Sequence, residues 1–142
     1  MFTGEYRHTV DDKGRIAVPA KFRAQLADGA VVSRWMESCL ALHTRSGWDG
    51  LAEKVAALPI TDQASRLFQR FIFAGAAEVE LDRQGRILVP AYLRDSIGLA
   101  GEAVVVGSRD HAEIWAPAVW DTYRTALDDP QELARAFEGL GI

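Results

Sequence analysis

Residues 11–23 read DDKGRIAVPAKFR, and residues 82–94 read DRQGRILVPAYLR. The two segments begin 71 positions apart and are identical at eight of their thirteen positions. The shared positions combine a turn glycine, β-branched residues and a proline, a mixture that divergence from one ancestral unit explains better than chance. The chain is therefore an internal duplication, and its fold should follow from one repeated unit.

Each copy predicts two short strands joined by a tight turn. In the first copy, residues 8–11 and 15–18 contain β-branched residues and flank the three-residue loop 12–14. Loops of this length commonly place one residue in the left-handed region, which glycine adopts without strain. Gly14 stands at that position, and Gly85 stands at the same position of the second copy. We therefore predict a β-hairpin in each repeat.

The predicted turns bring an acid and a base together. Asp11 and Arg15 should face each other across the first loop, and Asp82 and Arg86 should do so across the second. A charge-assisted pair of this kind can fix the orientation of its arginine. The loops themselves differ in charge, because DK in the first becomes RQ in the second.

The rest of each repeat predicts a short helix and a second pair of strands. Pro19 and Pro90 follow the second strand of each copy, where a fixed φ suits the first turn of a helix. The helices should cover residues 20–27 and 91–97, and the strand pairs residues 30–34 with 40–43 and 103–106 with 112–115. Apolar spacing predicts two further helices over 48–58 and 62–73, and the tail at 129–141 reads as one more short helix.

These elements predict an α+β fold class with short helices between and after the repeats. The first repeat is assigned to residues 5–49, a helical linker to 50–75, the second repeat to 76–121 and a helical tail to 122–142. A unit of about seventy residues is near the size at which a core of its own is marginal. We therefore expect the two halves to pack on a shared core.

The composition excludes several classes of protein. Of the 142 residues, 25% are charged and 49% are hydrophobic, which is typical of a globular domain. No apolar run approaches the roughly 20 residues of a membrane span, and no secretory or organelle signal is evident, so we expect a cytoplasmic protein without a membrane partner. Cys39 is the only cysteine and lies in an apolar stretch, where we expect a buried thiol and no disulfide.

No catalytic or metal site is predicted. His8, His43 and His111 lie in separate predicted strands and lack the i to i+4 spacing of metal ligands on a helix. The sequence contains no glycine-rich phosphate loop, nucleophile elbow or zinc signature. We therefore expect neither an enzyme nor a cofactor.

The charge of the chain gives mixed indications about nucleic acid. Sixteen Lys and Arg against twenty Asp and Glu give a net charge of −4, which argues against a polyanionic partner. Residues 7–23, however, carry five positive and two negative side chains, a local net charge of +3. The first repeat is therefore locally basic.

Two interpretations of the paired turns compete. A two-stranded ribbon can enter the major groove of DNA, where Arg15 and Arg86 would match a guanine edge or a phosphate. Nearby cations would then add phosphate contacts, namely Lys13, Lys21, Arg7 and Arg23. Alternatively, each acid and arginine form only a structural ion pair on a solvated turn. The duplication favours binding, because a turn needs only its glycine, yet both copies keep the acid and the base.

At these residues the sequence resembles the MraZ family of bacterial transcriptional regulators, whose two AbrB-like (SpoVT-AbrB) repeats each carry an Asp-x-x-x-Arg motif. The resemblance covers nearly the whole chain, including the opening FTGEYRHTVDDKGRIAVP at residues 2–19 and LDRQGRILVP at residues 81–90. One departure is visible: the first repeat has His43-Thr44 where the family commonly has an aromatic residue and proline, while the second keeps WAP at residues 115–117. The departure leaves the start of the linker helix open.

The resemblance implies both a fold and a function. The fold would be a swapped-hairpin β fold in which the two repeats pack as a pseudo-symmetric pair, and the chains would form a homo-oligomeric ring. The ring would bind short G-rich direct repeats upstream of a cell-division and cell-wall gene cluster, usually including its own gene, at the nucleoid. The DNA-binding residues carried over by position are Arg15 and Arg86, with Lys13 and Arg83 beside them, supported by Asp11, Asp82, Gly14 and Gly85.

A second hypothesis belongs to a different class. AbrB-like folds also serve as antitoxins, and the C-terminal segment is acidic and aromatic, so the chain could be a protein-interaction module. Residues 110–142 carry two positive and seven negative side chains, a net charge of −5. Such a segment could act as a docking surface for another protein.

Overall fold

The computed structural model describes all 142 residues, Met1–Ile142, as an α+β fold. The strands are β1 (Glu5–Thr9), β2 (Arg15–Ala17), β3 (Ala30–Arg34), β4 (Leu40–Thr44), β5 (Ala77–Val79), β6 (Arg86–Leu88), β7 (Glu102–Ser108) and β8 (His111–Trp115). The α-helices are α1 (Ala20–Arg23), α2 (Arg45–Ala56), α3 (Gln63–Ala74), α4 (Ala91–Ser96), α5 (Pro117–Leu127) and α6 (Pro130–Ala136). Short 3-10 turns cover Ala24–Leu26 and Met36–Ser38. None of these helices combines the length and the apolar character that a membrane span requires.

The strands exchange partners between the two repeats. The larger sheet has the order β1-β7-β8-β4-β3-β5, which is symmetric about the β4–β8 pair. The first strand of each repeat adds to the strand pair of the other: β1 pairs with β7, and β5 pairs with β3. The smaller sheet contains β2 and β6, one from each repeat. The swapped, pseudo-symmetric arrangement implied by the family resemblance is thus confirmed.

The predicted hairpin is wrong in its strand pairing, although its turn is correct. The first strand ends at Thr9 and pairs with β7. Apart from the hydrogen bonds of the loop, the two sides of the turn are joined only by an isolated bridge between Val10 and Ile16. The strand after the turn pairs with its counterpart in the other repeat, so that Ile16 lies opposite Ile87. Both isoleucines are only 1% exposed. The apolar faces of the two repeats therefore decide the strand partner, while the local sequence decides the turn.

The core is shared by both repeats, as expected from their size. Equivalent positions contribute in pairs: Val18 with Val89, and Phe22 with Leu93, are all buried in one cluster. The Phe22 ring also makes edge contacts with the rings of Phe2 and Tyr6, at centroid distances of 5.0 and 5.4 Å. Neither repeat encloses this core alone, because both sheets contain strands of both repeats.

The linker helix α2 begins at Arg45, three residues before the predicted start. Thr44 caps it, because its Oγ1 accepts a hydrogen bond from the backbone N–H of Gly47 at 2.9 Å. In the second repeat, helix α5 starts instead with Pro117, which occupies its first turn. The departure His43-Thr44 thus replaces one kind of helix start with another. The helix predicted over 62–73 is confirmed to within one residue, with Asp62 as its cap.

The one cysteine is buried, as expected. Cys39 is 1% exposed and packs with Val104, Trp115 and Trp120. Burial, followed by the nearby charges of Glu113 and Glu37, raises the pKa of the Cys39 thiol above its ordinary value. The thiol therefore stays protonated and behaves as a small apolar side chain.

Two histidines meet where the repeats join. His43 of β4 lies opposite His111 of β8, with ring centroids 5.9 Å apart. His43 is 4% exposed, and its Nε2 shares a hydrogen bond of 2.9 Å with Ser33 Oγ. Burial, and secondarily the charge of His111, lowers the pKa of His43 to about 4. His43 is therefore neutral in the folded protein at neutral pH.

We expect this histidine to make the fold acid-sensitive above pH 4. Unfolding exposes His43 and returns its pKa to about 6.5, so its contribution to stability is complete above that pH. The contribution should be lost progressively as pH falls from about 6.5 to about 4, by roughly 2 to 3 kcal/mol in all. Urea unfolding at pH 7.5, 5.5 and 4.5 measures it. A His43→Gln variant, which keeps a polar group near Ser33 but does not titrate, should show a flatter profile; parallel profiles would contradict the assignment.

Candidate nucleic-acid interface

The first turn is built around Asp11. Its Oδ1 accepts hydrogen bonds from the backbone N–H groups of Lys13 and Arg15, at 3.0 and 2.9 Å. The Asp11 N–H donates to the carbonyl of Arg15, and the Gly14 N–H donates to the carbonyl of Asp11, both at 3.0 Å. Gly14 has a φ of +87°, as the turn requires. One carboxylate oxygen thus organises the whole loop.

The second turn repeats this arrangement in detail. Oδ1 of Asp82 accepts from the backbone N–H groups of Gln84 and Arg86, both at 2.9 Å. Gly85 has a φ of +74° and donates its N–H to the carbonyl of Asp82 at 3.0 Å. The turns are therefore equivalent in geometry although their tips differ in charge.

The second oxygen of each carboxylate holds the arginine. Nε of Arg15 donates to Oδ2 of Asp11 at 2.6 Å, and Nε of Arg86 donates to Oδ2 of Asp82 at 2.9 Å. Nη1 of Arg86 also lies 3.7 Å from Oδ2 of Asp11, which links the two repeats. No hydrogen bond within the chain uses the terminal Nη atoms of either arginine. Each guanidinium is thus aimed by its Nε, and its Nη donors make no hydrogen bond, although Nη1 of Arg86 lies within ion-pair distance of Asp11.

The hydrogen bonds also keep both acids charged. The backbone N–H of Arg15, together with its side chain and the N–H of Lys13, lowers the pKa of Asp11 to about 2 against the opposing effect of burial. The backbone N–H of Arg86, with its side chain and the N–H of Gln84, lowers the pKa of Asp82. Because the carboxylates stay ionised, the two arginines remain paired through the neutral and mildly acidic range.

Pairing of β2 with β6 places both arginines on one surface. Arg15 lies opposite Leu88, and Arg86 lies opposite Ala17, while the isoleucines between them point into the core. We call the outward surface of Arg15, Ala17, Arg86 and Leu88 the ribbon face. Leu88 is 55% exposed and was missed by the sequence analysis. Leu88 lies two residues after Arg86, a spacing that places both side chains on one face of a strand. The sequence does not show, however, that β2 lies opposite this strand.

Two further arginines lie against the turns. Nε of Arg94 donates to the carbonyl of Val89 at 2.9 Å, and its guanidinium lies so close to Gly14 that a Cβ there would overlap it. Arg23 does the same for the other turn: it donates to the carbonyl of Val18 at 3.0 Å and lies against Gly85. Each turn is therefore supported by an arginine of the other repeat. The repeated arginine that closes both 13-residue segments was the signal for this role.

The remaining predicted cations differ in whether a carboxylate of the chain pairs with them. Lys13 and Arg83 are exposed at the tips of the turns and make no ion pair within the chain. Arg7, which we expected to contact phosphate, is instead occupied by Asp121 at 2.7 Å and Glu102 at 3.5 Å. The Nζ atom of Lys21 lies 6.0 Å from the centre of the Tyr6 ring. Carboxylates of two other elements thus neutralise Arg7, and its contact with phosphate stays a prediction.

The ribbon face and its two turns are locally positive on an acidic protein. The two turns and their arginines bring together four positive and three negative side chains, namely Arg15, Arg86, Lys13 and Arg83 against Asp11, Asp12 and Asp82. With Arg23 and Arg94 the count is six against three, or +3, whereas the whole chain carries −4. No group of three or more His, Cys, Asp or Glu side chains is placed to hold a metal ion. The arrangement offers aimed hydrogen-bond donors on a short two-stranded ribbon that covers the core.

These features define an internally duplicated α+β protein of the swapped-hairpin class, with two acid–arginine turns on one ribbon. The family model for the MraZ protein, described as antitoxin-like, matches residues 1–71 and again 72–138. The chain belongs to the MraZ family.

Similar proteins span the full length of the chain. The transcriptional regulator MraZ of Roseiflexus sp. (strain RS-1) is 48% identical over 128 residues, which cover 90% of each chain. The protein of that name from Halothermothrix orenii is 43% identical over 143 residues, and that from Desulfitobacterium hafniense (strain DSM 10664 / DCB-2) is 46% identical over 143 residues. In both cases the match covers all of each chain.

Proposed function

We propose that the chain is a DNA-binding transcriptional regulator whose ribbon face contacts double-stranded DNA. The observation that carries the proposal is the pair of half-buried arginines on one ribbon face, each held by its Nε and with no hydrogen bond to its Nη atoms. A two-stranded ribbon fits the major groove, and a fixed guanidinium fork matches O6 and N7 of guanine. The relatives named transcriptional regulators support the same function.

The proposed target is a set of short G-rich direct repeats. Arg15 and Arg86 would contact guanine, Lys13 and Arg83 would contact phosphates beside the ribbon, and Leu88 offers an apolar contact of the kind that reads a thymine methyl group. The repeats would lie upstream of a cell-division and cell-wall gene cluster that includes the regulator's own gene. The protein would then work in the cytoplasm, associated with the nucleoid.

The proposal also requires several copies of the chain at once. A ribbon with a small local excess of positive charge, on a chain of net charge −4, gains little non-specific affinity for DNA. Linking several ribbons in one ring makes the later contacts intramolecular and raises the overall affinity. Direct repeats in the DNA would match repeated ribbons in the ring.

DNA upstream of the protein's own gene should be bound selectively. In fluorescence anisotropy at moderate salt, we expect the wild-type protein to bind this DNA at least roughly a hundredfold more tightly than a fragment of equal length in which the repeated guanines are replaced, because loss of each guanine pair removes about 1 to 3 kcal/mol. Equal affinity for both fragments would contradict sequence-specific reading. The measurement should be repeated at two salt concentrations. Salt weakens phosphate contacts equally on both fragments, so the ratio of the two affinities reports the base contacts.

A second candidate function is an antitoxin-type protein-interaction module. The description of the matching family as antitoxin-like favours it, as does the acidic C-terminal segment with exposed Phe137 and Leu140. This candidate predicts co-purification of a second protein in stoichiometric amount and no selective DNA binding. Removal of residues 128–142 should then release the second protein, whereas the regulator function predicts unchanged affinity for the upstream DNA.

A further inference from the structure

The ribbon is almost symmetric about its centre. Strands β2 and β6 are antiparallel, with Ile16 opposite Ile87. A half-turn about the midpoint of this pair exchanges the two strands and brings Arg15 to the place of Arg86. The backbones of a DNA duplex are related by the same kind of half-turn, so a symmetric protein matches them in two directions. The two arginines alone would therefore fit a DNA site equally well either way round.

The apolar residues of the ribbon face break this symmetry. Leu88 lies opposite Arg15 at one end of the ribbon, and Ala17 lies opposite Arg86 at the other end. Ala17 is half-buried, whereas Leu88 is 55% exposed. Only the end with Leu88 therefore presents a sizeable apolar side chain. The methyl group of thymine is the apolar feature of the major groove, and it belongs to one strand of an A·T pair.

The turns break the symmetry a second time, through their charge. The first turn, at the end with Leu88, carries Asp12 and Lys13, whose charges cancel. The second turn, at the end with Ala17, carries Arg83 in the position of Asp12 and a neutral glutamine in the position of Lys13. These side chains are exposed and form no ion pair within the chain. One end of the ribbon is thus more apolar and the other is more positive.

The ion pairs of the two arginines are also unequal. Oδ2 of Asp11 lies 2.6 Å from Nε of Arg15 and 3.7 Å from Nη1 of Arg86. Asp82, in contrast, pairs with Arg86 alone, at 2.9 Å. Two carboxylates therefore compete for Arg86, whereas one competes for Arg15. The guanidinium beside Leu88 is the less neutralised of the two.

We propose that Leu88 and Arg83 fix the direction in which the chain lies on an asymmetric DNA site. Leu88 contacts a thymine methyl group next to the guanine that Arg15 binds, and Arg83 contacts a phosphate beyond the other end of the site. In the reversed direction, Ala17 would face the thymine without reaching it, and Asp12 would repel the phosphate. The inference rests on the proposed function and deepens it, because direct repeats require that every chain lies the same way round.

DNA cleavage from a tethered iron chelate measures this direction. Lys13→Cys and Gln84→Cys each place an exposed thiol on a different turn, while Cys39 is only 1% exposed, so the label attaches at the new thiol. On the upstream fragment, one label should cut on one side of each guanine run and the other label on the opposite side. The order should be the same at every repeat, with a preference of at least about tenfold. The DNA is saturated with protein, because losing the Lys13 charge weakens binding to any fragment alike.

An exchange variant tests the cause of the direction. Ala17→Leu with Leu88→Ala, combined with Asp12→Arg and Arg83→Asp, swaps the unequal residues between the repeats and leaves composition and net charge unchanged. Each label should then cut on the side opposite to that seen in the wild-type background. If this variant loses its cooperative thermal melt, Asp12→Arg with Arg83→Asp replaces it, because both positions lie on exposed turns. This smaller exchange sets the two preferences against each other, so each label should cut on both sides.

A matched control moves charge between the repeats without touching the ribbon. Ala24 and Asp95 occupy equivalent positions 71 residues apart, and both are exposed. Ala24→Asp with Asp95→Ala therefore transfers one negative charge from the second repeat to the first. The labels should keep the wild-type direction in this background.

Three results would overturn the inference. If each label cuts equally on both sides in the wild-type background, the chain lies in either direction. If the cuts do not move in the exchange variants, residues other than Leu88 and Arg83 fix the direction. If the control variant alters the direction, the overall charge of the repeats decides it. All three results require bound DNA and leave the proposed function standing, whereas equal affinity for the upstream fragment and its guanine-replaced form overturns that function itself.

Discussion

Replacing both Arg15 and Arg86 with alanine should reduce affinity for the upstream DNA by about thirtyfold or more. If each arginine pairs with one guanine, the double variant loses about 2 to 6 kcal/mol per engaged ribbon. The two substitutions are combined in one variant because both guanidinium groups lie on one ribbon face and both contact Asp11. Anisotropy titration of the labelled upstream fragment measures the loss, with a thermal melt to show that the variant is folded.

Two variants sharpen this prediction. Arg7→Ala removes a cation that is already neutralised by Asp121 and lies off the ribbon, so it should change DNA affinity little. Arg15→Lys keeps the charge but lacks the planar fork and the Nε that pairs with Asp11, so it should retain weak non-specific binding and lose selectivity for the guanines. Full selectivity in a folded double alanine variant would assign the ribbon arginines a structural role only.

Gly14→Ala should lower the free energy of unfolding by about 2 to 3 kcal/mol. A side chain at a φ of +87° is strained by about 1 to 2 kcal/mol, and the new Cβ would overlap the guanidinium of Arg94. Moving Arg94 away would also break its hydrogen bond to the carbonyl of Val89, which adds roughly 1 kcal/mol. Urea unfolding at neutral pH measures the change.

Gly98→Ala is the matched control for this effect. Gly98 also has a positive φ, +65°, but a Cβ there would meet nothing within 4 Å. The variant should therefore show the backbone strain alone, about 1 kcal/mol. Equal losses in the two variants would mean that Arg94 moves aside freely and does not hold the turn of the other repeat.

Local sequence was sufficient for the turns and for the acid–arginine pairs. The spacing from Asp11 to Arg15, with glycine between them, permits few other conformations, and the structure shows the expected hydrogen bonds. The helix after Pro90 was also predicted within one residue. The start of α2 was not, because Thr44 resembles any other strand-end residue until the helix that it caps is in place. The residue boundaries given to the repeats, linker and tail stay a prediction.

The sequence by itself determined that two equivalent acid–arginine turns exist, because a turn depends on residues that are neighbours in the chain. Only the tertiary structure decided that β2 pairs with β6 and not with β1, because that choice depends on how the apolar faces of two distant segments meet in one core. The same exchange brings Arg15 and Arg86 to one face and sets Arg94 behind Gly14. It also sets the helix that follows the strand pair of each repeat beside a turn of the other repeat, a combination that no local pattern contains.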